Sequence, residues 1–337
     1  MSVTAHAHGR VNLIGEHVDY AGGLVLPKLI GAKVEVSAAL RADGKLRAES
    51  VQHGTVIRDL GDRPSGHWSD YVLGAAVLTG APGLSITIHS DVPEGAGVSS
   101  SAALSVAVLR ALDDLMGLGL APLPMARLAQ RIEAEFTGTA CGLMDPLVIA
   151  AAKPGEALLI DCESGSYRNE RLFPGFSFPV IHSGEARRLA GGAYNDRRAA
   201  VERAAREIGV TSLRDADPDS VEDLADPVLR ARARHVVSEM VRVDLAMAAL
   251  RAGQPRSFGV LMRESHRSLA ADFEVSTPAL DALVRAMNDS GAYGARLTGA
   301  GFGGCAVALV PTDQVEHWWA LVHHRCPQAW AVELTQP

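Results

Sequence analysis

Near the start of the chain, Gly9–Gly23 reads GRVNLIGEHVDYAGG, which sets Arg10, Glu16, His17 and Asp19 inside ten residues between glycines. On residue types alone the purpose of that cluster stays open. A second stretch is more explicit. PEGAGVSSSAALSVAVL places Gly95 and Gly97 ahead of Ser99, Ser100, Ser101 and Ala102, where an apolar run begins. A glycine turn that opens a helix suits phosphate, because the backbone approaches closely and the first N–H groups meet negative charge with the favourable end of the dipole. No lysine follows, which excludes the G-K-[ST] loop, and Ser100 stands where a G-x-G-x-x-G loop needs its third glycine. The plainer alternative is a helix capped by serine after a turn. In CGLMDPL, Gly142 and Asp145 follow Cys141, and a lone aspartate there also reads as a cap or turn former. LTGAGFGGCAVALV sets Gly299, Gly301, Gly303 and Gly304 before a buried strand. Backbone there lies against a ligand, or against another segment at a tight lobe junction.

These stretches need elements to hold them. Strand character marks residues 24–40, 45–60, 84–92 and 156–162, and Leu84, Ile86 and Ile88 alternate strictly toward one face. Helical periodicity marks 67–80, 102–116, 124–136, 193–208, 226–251, 255–270 and 277–290. A chain of 337 residues can bury a large core and is expected to split into two lobes, with the break in or near FPGFSFP, giving 1–170 and 171–337. The net charge of -7 argues against a nucleic-acid footprint, which needs a basic face. Cys141, Cys162, Cys305 and Cys326 form no C-x-x-C pair, so they read as reduced thiols of a cytosolic protein rather than a zinc site. MSVTAHAHGR carries no signal-peptide pattern, and the apolar run YVLGAAVLTGAPGLSITI is broken by Gly80, Pro82 and Gly83. The expectation is a soluble cytoplasmic protein that binds neither nucleic acid nor membrane; its oligomeric state is not legible.

Together, in this order, the motifs resemble the galactokinase branch of the GHMP small-molecule kinases. The likeness continues through CGLMD, ALLIDCES, RRLAGGAYNDRR, RARHVVSEM and LMRESHRSLAADFEVSTPALDALV, and so covers nearly the whole chain. It implies an α+β fold of two lobes, the N-terminal one like ribosomal protein S5 domain 2 and the C-terminal one ferredoxin-like. It implies an ATP-dependent kinase for the anomeric hydroxyl of galactose or a related sugar, with magnesium. Carried over position by position, Arg10 and Asp145 match the catalytic pair, and Glu16, His17, Asp19, Gly142 and Tyr194 match the sugar contacts. Gly95, Gly97 and Ser99–Ala102 match the nucleotide's phosphate loop, and Ser101 and Glu133 match the magnesium ligands. Without the resemblance, Glu133 would read as an exposed helix residue and Tyr194 as a core tyrosine; His17 is expected to hydrogen-bond rather than bind metal.

The chain departs from the family pattern at His8, Val18, Ala21 and Pro146, which replace the common proline, threonine, asparagine and glutamine, and only nine residues precede Arg10. Those changes leave room for a second reading, an anomeric kinase for a longer or modified galacto-configured sugar. Members of the branch that bind sugar and ATP without transferring phosphate differ within the phosphate loop. Here GVSSSAAL is intact.

Overall fold

The computed structural model describes residues 2–139, 141–186 and 190–335. Two compact units emerge, each assembled from separate stretches of chain: Met1–Arg10, Leu29–Pro93 and Ser99–Ala152 in one, and Val11–Lys28, Glu94–Val98 and Lys153–Pro337 in the other. Both mix helices with largely antiparallel sheet, as an α+β chain should.

In the first unit, Leu84–Ser90 runs antiparallel to Pro27–Leu40, from Val34 opposite Ser90 to Leu40 opposite Leu84. On its other edge it runs parallel to Lys45–Ser50, which forms a hairpin with Gly54–Asp59. The alternation of Leu84, Ile86 and Ile88 is realised: all three are buried. Helices Asp70–Thr79, Ser100–Met116, Pro122–Phe136 and Met144–Ala151 complete the unit. The expected strand 45–60 is thus a hairpin. The expected strand 24–40 breaks at Leu26, whose N–H bonds Ile14 O and whose carbonyl accepts from Leu13 N–H. Ser2–Asn12 is a strand that composition did not announce, because its alanines and histidines carry little strand signal.

In the second unit, Gly294–Leu297, Cys305–Pro311, Val180–His182 and Trp330–Glu333 form an antiparallel sheet in that order. Its core packs Ile181, Met287, Ala306 and Trp318, and the Trp318 indole N–H donates to Met287 O. The long helices start where proline fixes the first turn and a polar residue satisfies the exposed N–H groups. Asp226 accepts from Val228 N–H ahead of Pro227–Arg251, and Thr277 accepts from Leu280 N–H ahead of Pro278–Asp289. Helix Ala190–Ile208 carries Tyr194. The start of RRLAGGAYNDRR, at Arg187, Arg188 and Leu189, lies outside the described residues, as does Ala140. Among the described residues no helix is long and apolar enough to cross a membrane.

Candidate functional site

In the first unit the phosphate-loop helix and the two candidate catalytic residues meet. Arg10 forms a fork on Asp145, with Nε to Oδ1 at 2.6 Å and Nη2 to Oδ2 at 2.5 Å. Asp145 sits in the first turn of Met144–Ala151, just past the buried Gly142, so the lone aspartate of CGLMD is an element-starting residue with its carboxylate engaged elsewhere. Ser99 donates its hydroxyl to Asp145 Oδ2. That contact settles the capping alternative: Ser99 stands at the N-cap of Ser100–Met116, yet its side chain makes no cap bond to the helix. One turn in, Ser101 Oγ donates to Glu133 Oε1 at 3.1 Å. Glu133 is buried, not exposed. Its carboxyl is pushed up to about 7, first by burial and then by the charge of Asp145. Tyr71 adds a phenol to this group, with its own pKa raised by burial and then by Glu133.

The second unit holds the other cluster. Glu16 is buried, and its carboxylate accepts from Asn12 Nδ2 on one oxygen and from Gly299 N–H at 2.6 Å on the other. Asn12 is tied to the same glycine motif a second time, since Thr298 Oγ1 accepts from Asn12 N–H and donates to Asn12 O. The first and third glycine motifs are therefore stitched directly to each other. His17 hydrogen-bonds Tyr20 OH through Nδ1 and Ala300 O through Nε2, which bears out hydrogen bonding as its use. Its ring packs against Tyr194 at 5.8 Å and Phe273 at 4.6 Å. Tyr194 is half-buried rather than enclosed as a core tyrosine would be, and Asp19 is half-buried at the start of a single 3-10 turn. Tyr20 keeps its phenol proton far into the alkaline range, through burial first and Asp19 next.

Backbone strain marks the same places. Among the described residues four non-glycine residues have positive φ: His17, Ser99, Glu274 and Phe302. Three of them fall in the motifs singled out from the sequence, and such conformations persist where surrounding structure enforces them. Gly97 and Gly299 show the same crowding. Gly299 has a φ of 77°, and a Cβ there would stand 2.9 Å from Gly97 O. Gly95, with a φ of 69°, is exposed with nothing near a would-be Cβ, so its glycine serves the turn.

Several participants escaped the sequence. Asn12, Tyr20 and Thr298 lay inside or beside the quoted motifs but had no special chemistry. His235 and Glu239 lay within RARHVVSEM, on helix Pro227–Arg251, and Arg296 directly before the last glycine motif, on strand Gly294–Leu297, but none of the three was given a role. Glu239 accepts from Gly15 N–H, Ser265 Oγ and Arg242 Nε. Burial alone would raise its pKa, but Arg296 and Arg242 outweigh that and bring it down to about 2.

Comparison with known proteins supplies the family. Residues 70–153 match the N-terminal domain of GHMP kinases, 246–317 match their C-terminal domain, and 2–40 match the galactokinase galactose-binding signature. The galactokinase of Roseiflexus sp. (strain RS-1) is 43% identical over 332 residues, covering 93% of this chain and 85% of its own. The crystal structure of Lactococcus lactis galactokinase complexed with galactose has a TM-score of 0.92 at 31% identity, over 99% of this chain and 94% of that one. Methanococcus jannaschii mevalonate kinase shares the fold, with a TM-score of 0.74 at 20% identity over 100% and 98% of the two chains. The motifs, the fold and the length of the match place the chain in one family: it belongs to the galactokinases, within the GHMP kinases.

Proposed function

We propose that the chain transfers the γ-phosphoryl group of ATP to the anomeric hydroxyl of galactose or a closely related galacto-configured sugar. The observation that carries this is the Arg10–Asp145 fork, with Ser99 on the same carboxylate at the start of the phosphate-loop helix. The attacking hydroxyl must lose a proton as it meets the γ-phosphorus. Asp145 is the acceptor we assign, and Arg10 both orients it and stabilises the charge that develops on the transferred group. Aspartate is a weak base, so proton removal is late and placement of the hydroxyl matters more than base strength. The opening of Ser100–Met116, whose N–H groups Ser99 does not cap, is assigned to the nucleotide's phosphates with Gly95, Gly97 and Ser99–Ala102.

Magnesium belongs to the same proposal. Ser101 and Glu133 supply a hydroxyl and a carboxylate side by side, the hard oxygen donors that magnesium takes. The buried Glu133 carboxyl also feels the charge of the half-buried Asp145, and two carboxylates that close favour a cation there. Bound with the nucleotide, the ion would neutralise charge on the phosphates.

To the sugar we assign Glu16, His17, Asp19, Gly142 and Tyr194, with carboxylates as acceptors for its hydroxyls. The placement of the departures from the family pattern leaves galactose as the first reading, ahead of a longer or modified sugar. Val18 and Ala21 are buried in the core, so their exchange alters packing behind the segment rather than its polar edge. Pro146 falls in the first turn of Met144–Ala151, where proline is tolerated. His8 hydrogen-bonds Ile30 O. The compact units differ from a single division near residue 170, since the second takes in Val11–Lys28 and Glu94–Val98 and resumes at Lys153; we retain a cytoplasmic location, which the four reduced thiols support. The test is a phosphotransfer assay with a panel of free sugars, read by phosphorus NMR. Galactose with ATP should give the α-1-phosphate and ADP; ATP turnover with no sugar phosphate, or a clear preference for a modified sugar, would sink the reading.

A further inference from the structure

Arg296 is the least explained charge in the second unit. It lies in strand Gly294–Leu297 with no exposed surface, and none of its three guanidinium nitrogens has a hydrogen-bond acceptor among the described residues. A buried cation without hydrogen bonds is costly to desolvate, and an apolar side chain of similar volume would serve stability better. Its nearest counter-charge is Glu16, at 3.7 Å from Nη2 to Oε1. The other buried carboxylate that feels its field, Glu239, already accepts three hydrogen bonds, from Gly15 N–H, Ser265 and Arg242. Glu16 is the one whose placement has consequences. It holds Gly299 N–H, and it directly precedes His17, whose ring bonds Ala300 O one residue further along the same glycine motif.

We infer that Arg296 is a positioning residue for the sugar segment: its buried charge holds the Glu16 carboxylate against Asn12 and Gly299, and so sets residues 16–19 and the turn after Thr298. It touches no reacting atom. This inference rests on the assignment of that segment to the sugar. Its signature is therefore selective. Losing the charge loosens sugar binding while the chemical step and the nucleotide are little affected. A merely structural arginine would lower stability and leave the ratio of sugar to nucleotide constants unchanged.

The experiment compares Arg296→Met, Arg296→Lys, Glu16→Gln and the Arg296→Met/Glu16→Gln pair by steady-state kinetics with galactose and ATP. Arg296→Met should raise KM for galactose on the order of tenfold, with KM for ATP and kcat changed by about twofold or less. Arg296→Lys, which keeps a cation with shorter reach, should fall between Met and the parent. In the Glu16→Gln background the Met substitution should add little, because its partner is gone. An unchanged galactose KM in Arg296→Met, equal changes for both substrates, or multiplicative effects in the pair would overturn the inference. If Arg296→Met does not fold, Arg296→Lys decides alone, and a parental galactose KM overturns it. Amide exchange at Gly299, whose N–H Glu16 accepts, gives a readout that needs no substrate: its protection should fall about tenfold in the variant, and unchanged protection again overturns the idea. Failure of the parent protein to phosphorylate galactose would instead sink the functional reading, and leaves the exchange result to judge Arg296.

Discussion

Asp145 carries three donors on one carboxylate: Arg10 Nε and Nη2 and the Ser99 hydroxyl. Such a group is oriented before any substrate arrives, as the base role proposed for it requires. Asp145→Asn keeps the shape but turns one acceptor into an amide donor facing the guanidinium. kcat should fall by about 10²–10⁴-fold, the range for loss of a general base, with little change in ATP binding. Near-parental turnover in the purified variant would remove the base role. Glu133 is the second residue with a separable job. If it holds magnesium with Ser101, Glu133→Gln should raise the magnesium concentration needed for half-maximal rate by several-fold. A superimposable magnesium titration would return Glu133 to a packing role. Neither residue's importance could be read from its own neighbours in the chain. CGLMD and the helix 122–136 are ordinary until Arg10 and Ser101 are set against them.

At the scale of the element, helix Pro227–Arg251 does most of the bracing in the second unit. His235, Glu239 and Arg242 recur at helical spacing on one buried face. His235 Nε2 meets Glu16 O and Nδ1 meets Ser268 Oγ, while Glu239 takes Gly15 N–H. The helix thus fixes the backbone on which Glu16, His17 and Asp19 are displayed. Full burial brings the His235 pKa from 6.5 down to about 4, so the ring is neutral when folded. A depressed histidine costs nothing above its unfolded pKa. As pH falls from 6.5 toward 4 the unfolded chain binds a proton that the folded one refuses, and stability drops by about 3 kcal/mol for this group. His266, also brought down to about 4 chiefly by burial, adds to the same window. Urea midpoints should therefore decline between pH 6.5 and 4, and the decline should be shallower in His235→Gln. Equal slopes for the two proteins would mean that His235 does not drive the acid limb.

For the whole molecule, what the sequence disclosed was local. The glycine-rich loop before Ser99 was legible from its own residues and the helices from their periodicity, whereas GRVNLIGEHVDYAGG and the last glycine motif gained a meaning only through the resemblance to a family. What it hid depends on convergence. Glu239, inside RARHVVSEM, and Arg296, just before the last glycine motif, carried no legible role, and Asn12 joins Thr298 across 286 residues, which no window of sequence can reveal. In the second unit an early and a late strand also meet. Lys28, near the start of strand Pro27–Leu40, meets Glu333, at the end of Trp330–Glu333, at 2.8 Å across 305 residues. Both side chains are nearly inaccessible, and burial lowers the lysine pKa against the opposing pull of Glu333. A pair of this kind is a poor source of net stability but an expensive one to break, since removing one partner strands a buried charge. Glu333→Gln should cost about 3–5 kcal/mol in urea unfolding. The Lys28→Met/Glu333→Leu pair should restore most of that loss, because neither charge is then left alone. Parental stability in Glu333→Gln, or a double variant no better than the single, would show that the strand at residues 330–333 is held by its packing and not by the ion pair.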